Sequence, residues 1–517
     1  MNLDQIYSDD WPFVNERLSG LPDLFKKHVL STYLKDLAKY PRRDANLALI
    51  EVTEAADSVI THRLNRGNLN SDENDLKALS QLKGNHCATL LKFIRFDRKE
   101  IAYKEILSFI QKHGIEPSLI RENPSPADMD SLIRRSMNPT WWTRQLRKVL
   151  NRDIEITARH LNLVNKTKQQ YVSDLNHQRH LQQQQEQRSY LENMLAENEV
   201  GDTYFLSELH DISVSNPTIK RAELMVRCRG FEDIAKSKGH DGIFITMTCP
   251  SKYHRAFGKS GEPNPKYNGS RVSHCQNYLQ DVWAKIRSGL DRQDIRVYGF
   301  RVAEPHHDGT PHWHMLLFTD PENIQALNNT FLRYCLEEDG DEKGALENRV
   351  KFIKIDPNKG SATGYIAKYI SKNINGEDLE NGVDGENPSI TAQRVKAWAS
   401  VWGIRQFQQI GGAPVSPWRE LRRMGQIDEL DSILERARLA ADKSNWEGYQ
   451  MAMGGIDCPK VDRPITIVYW CEFNSDTGEI KSNQYGELRA PSIYGLKYNG
   501  ETFNTRPHLW KISKAYD

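Results

Sequence analysis

The sequence predicts an α+β protein with a central antiparallel sheet. The first two hundred residues carry apolar residues three and four apart with few strand-like runs, which is the helical period. Between Gly242 and Ile374 the rhythm changes to alternating strands and helices in the order β-α-β-β-α-β-α. The remainder reads as helices followed by a small Tyr/Gly-rich β unit. A length of 517 residues, at about 150 per domain, allows roughly three structural units.

The helical stripes run over Leu21 to Leu37, Ser80 to Phe96 and Ala102 to His113. Residues Met137 to Leu163 form a further helix, opened by Trp141 and Trp142 and bearing Arg144, Arg147, Lys148 and Arg152. It reads either as a solvated face with a Trp anchor in the core or as a helix that touches DNA. Lys166 to Glu199 is Gln-rich and reads as a long polar helix or connector. Gly242 to Thr248 is a β run ended by Cys249-Pro250, and Cys275, Leu279, Val282 and Ile286 form a helical stripe. Ile295 to Glu304 and Pro311 to Thr319 are strands joined across HHDGT; Pro321 to Leu336 is a helix, Arg349 to Ile355 a strand and Gly360 to Ile374 a helix. This is the order of the ferredoxin-like split βαβ plan, an antiparallel sheet with helices on one face, and an extra helix. The open face of such a sheet is a common seat for single-stranded nucleic acid. Asn375 to Asn387 is a loop, Thr391 to Phe407 and Trp418 to Arg438 are helical, and Pro464 to Phe473 starts the β-rich tail.

Lys and Arg number 70 against 69 Asp and Glu, a net charge of +1, which excludes a polybasic protein that attracts nucleic acid through its overall field. Basic stretches must act locally. Seven scattered cysteines without a C-x-x-C pair imply reduced thiols, so a cytoplasmic location is expected. No apolar run approaches the ~18 residues of a membrane span, and Met1 to Gly20 does not read as a signal peptide.

His312-Trp313-His314 lies within the strand PHWHMLLFT. Side chains alternate across a strand, so the two histidines face one way and can hold one metal ion, while Trp313 faces the other. Whether Glu304 joins them depends on the loop. A five-residue loop, His306 to Thr310, puts Glu304 opposite His312, whereas a two-residue Asp308-Gly309 turn points it away. Pro305 and Pro311 fit the longer loop. Two imidazoles and a carboxylate suit Mg²⁺ or Mn²⁺ and do not exclude zinc. On the final helix of the order, Tyr365, Lys368, Tyr369 and Lys372 share one face, while Ile366, Ala367, Ile370 and Ile374 form an apolar face toward the sheet. The phenols and ammoniums are thereby expected to project together, away from the core. A phenol is a weak nucleophile near neutral pH and needs a nearby cation or base.

These segments, ITMTCPS (Ile245 to Ser251), VAEPHHDGTPHWHMLLF and YIAKYISK, taken in that order, resemble the three motifs of HUH endonucleases that initiate rolling-circle replication. With GIRQFQQIGG and PVSPWRELRR downstream, the chain is similar to the bacteriophage replication gene A proteins over about Asp241 to Arg423. The resemblance implies a metal, Mg²⁺ or Mn²⁺, held by His312, His314 and Glu304, and cleavage of single-stranded origin DNA by Tyr365 or Tyr369. It further implies a 5′-phosphotyrosine, a free 3′-OH primer, the second tyrosine acting after one round, and Lys368 neutralising charge at the phosphorus. Thr246 and Thr248 of the first motif share a face and serve either packing or a DNA contact.

Two basic segments flank this centre, Ser251 to Val272 with a net charge of +4 and Arg394 to Arg423 with +5. From these and the tyrosine helix, Lys252, Arg255, Lys372, Arg405, Trp418, Arg419 and Arg422 are the expected DNA contacts, cations interleaved with stacking aromatics. Gly258-Lys259-Ser260 is not a P-loop, because Tyr253 stands where the first glycine is required. Strand separation is therefore expected from supercoiling or a host helicase and replisome. The expected domains are a helical region over 1–200, a nicking domain over 201–375, a helical basic and aromatic extension over 376–460 and a β-rich unit over 461–517. Competing readings are a nucleic-acid-binding module with a structural His pair, another HUH enzyme such as a plasmid initiator, relaxase or transposase, and a metal hydrolase using activated water.

Overall fold

The computed structural model describes residues 8–19, 21–61, 69–94, 98–116, 123–356, 358, 360–376, 387–426 and 432–515. The chain divides into two compact units, one formed by residues 1–164, 173–176 and 471–490, the other by 165–172, 177–470 and 491–517. Residues 461–517 thus contribute to both.

The first unit is helical. Its helices include Asp23–Lys39, Arg42–Thr61, Glu73–Phe93, Lys99–Lys112, Pro126–Ser136 and Pro139–His160. Local signals account for their starts: Asp72 and Ser125 each make a reciprocal capping box, and Asn138 caps a helix whose first residue is Pro139. Trp141 and Trp142 are buried among Leu146, Ile106 and Ile154, and Arg147 is paired with Glu73. The Trp anchor is therefore in the core. Glu155, buried in the same helix, accepts from the Ser173 hydroxyl (2.8 Å) and the Asn176 amide (2.9 Å). Arg135 pairs with Glu487 at 2.5 Å, tying the 471–490 segment into this unit.

The second unit is built on a five-stranded sheet. Its strands are β1 (Asp241–Met247), β2 (Tyr298–Pro305), β3 (Pro311–Thr319), β4 (Val350–Lys354) and β5 (Phe407–Ile410). Their spatial order is β4-β1-β3-β2-β5, and every neighbouring pair is antiparallel. The helices that matter here are α1 (Pro217–Lys238), α2 (Val272–Asp291), α3 (Ile324–Cys335), α4 (Ala362–Ile374) and α5 (Pro388–Trp402). The fold is thus α+β, as the element order implies.

Three expectations are corrected. First, the sheet has no open face along its centre, since every residue of β2 and β3 is buried. Phe244, Phe300, Leu316 and Phe318 on one face meet Phe231 of α1 and Ile366 and Ile370 of α4. On the other face Trp313 donates to Gln276 of α2 (3.2 Å). Second, Thr391 to Phe407 is not one helix: α5 ends at Trp402 with Gly403 in a left-handed conformation, and Phe407 enters the sheet as β5 beside β2. Third, the polar helix of the Gln-rich region spans Asp174–Glu192 only, and Met194–Asn198 is a strand paired with Thr203–Phe205 and Trp510–Lys514. The expected loop over Asn375 to Asn387 lies mostly outside the described residues, as do residues 427–431 of the expected helix from Trp418 to Arg438. Among the described residues no helix is long and apolar enough to cross a membrane, and all seven cysteines are free thiols.

Candidate metal and tyrosine site

β2 and β3 are joined by the five-residue loop His306 to Thr310. It is closed by His306 N–H donating to Thr310 O (2.7 Å), with Gly309 in a left-handed turn that favours glycine. The resulting register sets Glu304 opposite His312 and Val302 opposite His314. Residues directly opposite in an antiparallel pair point to the same face, so the carboxylate and both imidazoles converge on the side where α4 packs.

Their ligand atoms all lie within 4.8 Å of one another, and among the described residues no other three His, Cys, Asp or Glu side chains come together in this way. His312 Nε2 and His314 Nε2 are 2.8 Å apart, and His314 Nε2 is 3.8 Å from Glu304 Oε2. Two ligands about 2.1 Å from an octahedral cation and at right angles stand about 3 Å apart, so the imidazole pair has the spacing of a shared ion. The chemistry of the donors fits as well. Burial drives both imidazoles well below the ordinary histidine value, leaving them neutral and able to ligate. Thr246 Oγ1 lies 3.0 Å from His314 Nδ1, an outer partner of the kind that fixes a ligand ring and aims its other nitrogen. The ring of His306 lies against His312 at 4.0 Å between centroids, with His254 edge-on to His306 at 5.0 Å.

α4 supplies the other half of the site. Its start is capped by Ser361, whose hydroxyl accepts from Gly364 N–H (3.0 Å), and Ile366, Ile370 and Ile374 anchor it to the sheet. The polar face does not project away from the core as a whole, as expected: Tyr369 and Lys372 turn toward the histidine cluster, whereas Lys368 stays exposed. Tyr369 packs its ring against His314, 3.9 Å between centroids, and is stacked on Phe244 at 5.3 Å. Tyr365, half-buried one turn earlier, is 6.5 Å from Phe244. Burial, together with the nearby Glu304 charge, pushes the Tyr369 phenol up to about 12. Lys368 is exposed, with its ammonium 4.8 Å from the Tyr369 ring centre.

Lys372 is turned inward. Its ammonium is 3.4 Å from Glu304 Oε2 and 5.1 Å from the Tyr171 ring centre. Asn373 donates its amide to the other Glu304 oxygen and to Tyr369 O, and its own oxygen accepts from Gln406 (2.9 Å). Burial pushes the Glu304 carboxyl up even against the pull of Lys372. Burial opposes the charge of Lys372 too, but the Glu304 carboxylate outweighs it and raises the ammonium above its usual value. Thr246 and His306 lie within the first and second motifs, where the sequence gives Thr246 only as packing or a DNA contact and His306 only as a loop residue; Asn373, just after the tyrosine motif, has no signal of its own.

The expected DNA contacts separate into groups. Trp418 is corrected: it is 1% exposed, and its ring meets Trp446 and Tyr449, so no base reaches it. Arg419 makes a two-pronged pair with Glu223 at 2.9 and 2.7 Å. Lys252 pairs with Glu338 and Asp339, both at 2.9 Å, so the acidic loop neutralises part of the basic 251–272 segment. Arg255 donates its backbone N–H to Asp308 Oδ2 (2.8 Å), with its guanidinium 5.8 Å from the Tyr267 ring centre. Arg405 and Arg422 are exposed. Thr248 donates its hydroxyl to Asn348 O (2.9 Å).

Comparison with known proteins gives this geometry its setting. Residues 97–377 match the family described as bacteriophage replication gene A protein (GPA). The chain belongs to the bacteriophage replication gene A protein family. It is 36% identical to "Probable replication protein P12" of Pseudoalteromonas phage PM2 over 98% of this chain and 82% of that protein. It is 41% identical to "Replication gene A protein" of Escherichia phage 186, over 74% of this chain and 55% of the relative. A "Probable replication endonuclease from prophage-like region" of Salmonella paratyphi A is 33% identical over 77% of this chain and 51% of its own length. The chain thus spans about half the length of the latter two relatives. No solved structure matches significantly.

Proposed function

We propose that this chain is a phage rolling-circle replication initiator of the HUH type, a single-stranded DNA endonuclease and strand transferase acting in the bacterial cytoplasm. The observation that carries the reading is the packing of Tyr369 on His314 beside the Glu304-His312-His314 cluster. The strand order of the sheet, with α2 and α3 as its two crossovers, supports a ferredoxin-like scaffold beneath it. The relatives named for replication and, in one case, for endonuclease activity agree with it.

Glu304, His312 and His314 would hold a divalent cation such as Mg²⁺ or Mn²⁺. When bound, the ion would supply Lewis-acid polarisation of the scissile phosphate. α4 delivers the nucleophiles. The phenolic oxygen of Tyr365 or Tyr369 forms a bond to phosphorus as the bond from phosphorus to the 3′-oxygen breaks. The phenol gives up its proton, and the departing oxygen gains one to become the 3′-OH primer. The 5′-phosphotyrosine keeps the bond energy for rejoining: the second tyrosine, one helical turn away, cleaves the regenerated origin, and the 3′-OH freed there attacks the first phosphotyrosine, which releases its phenol and closes the displaced strand. Lys368, exposed beside Tyr369, offsets charge on the phosphoryl oxygens. Lys372 and Asn373 orient Glu304. Strand opening is left to supercoiling or a host helicase.

The test is incubation with origin-bearing single-stranded DNA and Mn²⁺, followed by a denaturing gel. The downstream fragment joined to protein through its 5′ phosphate, with a free 3′-OH on the upstream fragment, is expected; a downstream product without protein attached would favour hydrolysis by activated water.

A further inference from the structure

We propose that the cavity beside His312 receives one nucleoside of the DNA strand, with the base against Phe257 and the adjoining backbone phosphate against Lys343 and Lys351. The inference rests on the reading of this chain as a single-strand nuclease. The cavity encloses about 550 Å³, within the range of small-molecule sites and enough for about one nucleotide. It is contiguous with the proposed metal and tyrosine site, because it is lined by His312 of the cluster and by Thr246, whose hydroxyl oxygen lies 3.0 Å from His314 Nδ1. A strand whose phosphate lies at that cluster has its next nucleoside within one backbone step of the opening.

The lining matches a nucleotide in three respects. Phe257, 48% exposed, lines the cavity and offers an uncovered aromatic surface of the kind on which bases stack. Thr248, His254 and Asn348 provide polar groups for a base edge. Lys343 and Lys351 are exposed at the rim, where phosphate would lie. Of the two acidic wall residues, Glu342 is already matched by Arg349 (3.0 Å) and by Ser251 N–H (3.1 Å), and Asp308 accepts from Arg255 N–H (2.8 Å) and the Thr310 hydroxyl (2.9 Å), so neither is left to repel the strand. An apolar partner or an acidic protein surface would leave either the lysines or the aromatic surface unused.

Binding of fluorescent (dT)15 and of an abasic 15-mer with the same phosphates tests the proposal. The Tyr365→Phe/Tyr369→Phe protein is used in chelator, so that no cleavage intervenes. The abasic strand is expected to bind on the order of 10-fold more weakly, a single stacked base contributing about 1–3 kcal/mol. Phe257→Ala should weaken (dT)15 by a similar factor and leave the abasic strand unchanged, with Phe257→Tyr restoring the difference. Lys343→Ala/Lys351→Ala should weaken both strands and lower the salt dependence. Equal affinity of Phe257→Ala and its parent for (dT)15 would overturn the assignment. So would displacement by dTMP with the affinity of the whole strand, which would assign the cavity to a free nucleotide. The nuclease reading fails separately, through absence of the covalent adduct in the cleavage assay.

Discussion

Lys372 reaches from α4 to the sheet and stands 3.4 Å from Glu304, the carboxylate that shares a face with His312 and His314. The pair is nearly enclosed, with Glu304 1% and Lys372 17% exposed at the side chain. A divalent cation held by this group, as proposed, would therefore compete with an ammonium for Glu304. Breaking such a pair leaves a buried charge without its partner.

Lys372→Met is accordingly expected to destabilise the metal-free protein by about 3 kcal/mol. Mn²⁺ should raise the melting temperature of this variant more than that of wild type, since the competing cation is gone. Thermal melts with chelator and with Mn²⁺ check both; equal Mn²⁺-induced shifts would show that the ammonium does not compete.

The ligand set makes its own prediction. His312→Ala and Glu304→Gln should each weaken Mn²⁺ binding at least about 10-fold in calorimetry, as loss of one donor from a small set requires. Thr246→Val, which removes only the outer partner of His314, should cost less than either while leaving the fold intact. Undiminished binding by His312→Ala would remove the metal assignment.

Acid should loosen the metal-free fold through its histidines. Burial holds His306 down to about 3 and His312 and His314 well below the usual value, whereas in the unfolded chain all three titrate near about 6.5. Below that pH the unfolded state takes up protons that the folded state refuses, so stability falls as pH falls and is regained above it. Melting temperatures in chelator should drop between about pH 7.5 and 5.5, and the drop should be smaller in His306→Asn.

Trp418 discriminates core from DNA surface. Trp418→Ala should destabilise by about 3–5 kcal/mol, the range for a large buried aromatic. At a temperature where the variant is folded, its affinity for single-stranded DNA should match wild type. A selective loss of DNA affinity would contradict its burial.

Much of the site is readable in the residues because it depends on local rules. Strand alternation puts His312 and His314 on one face, and the length of the His306 to Thr310 loop, framed by Pro305 and Pro311, decides that Glu304 joins them. The orientation of α4 is not local. Its i, i+3, i+4 and i+7 face is amphipathic in either direction, and only its packing on Phe244 and His314 shows that Tyr369 and Lys372 turn inward. The sheet reads as half open because α1, which covers the histidine face through Phe231, precedes the first strand and carries a weakly periodic pattern. Trp418 reads as a stacking residue because its neighbours in sequence are arginines, whereas its neighbours in space, Trp446 and Tyr449, come from a helix some thirty residues on.

The central claim is that the two tyrosines of α4 carry the DNA covalently beside the Glu304-His312-His314 cluster. The most direct measurement is peptide mapping by mass spectrometry of the protein–DNA adduct trapped on origin single strands with Mn²⁺. The account predicts a 5′-phosphate on Tyr365 or Tyr369 in wild type, on the remaining tyrosine in each single Phe variant, and no adduct in Tyr365→Phe/Tyr369→Phe. An adduct on any other residue, or one that persists in the double variant, would contradict it.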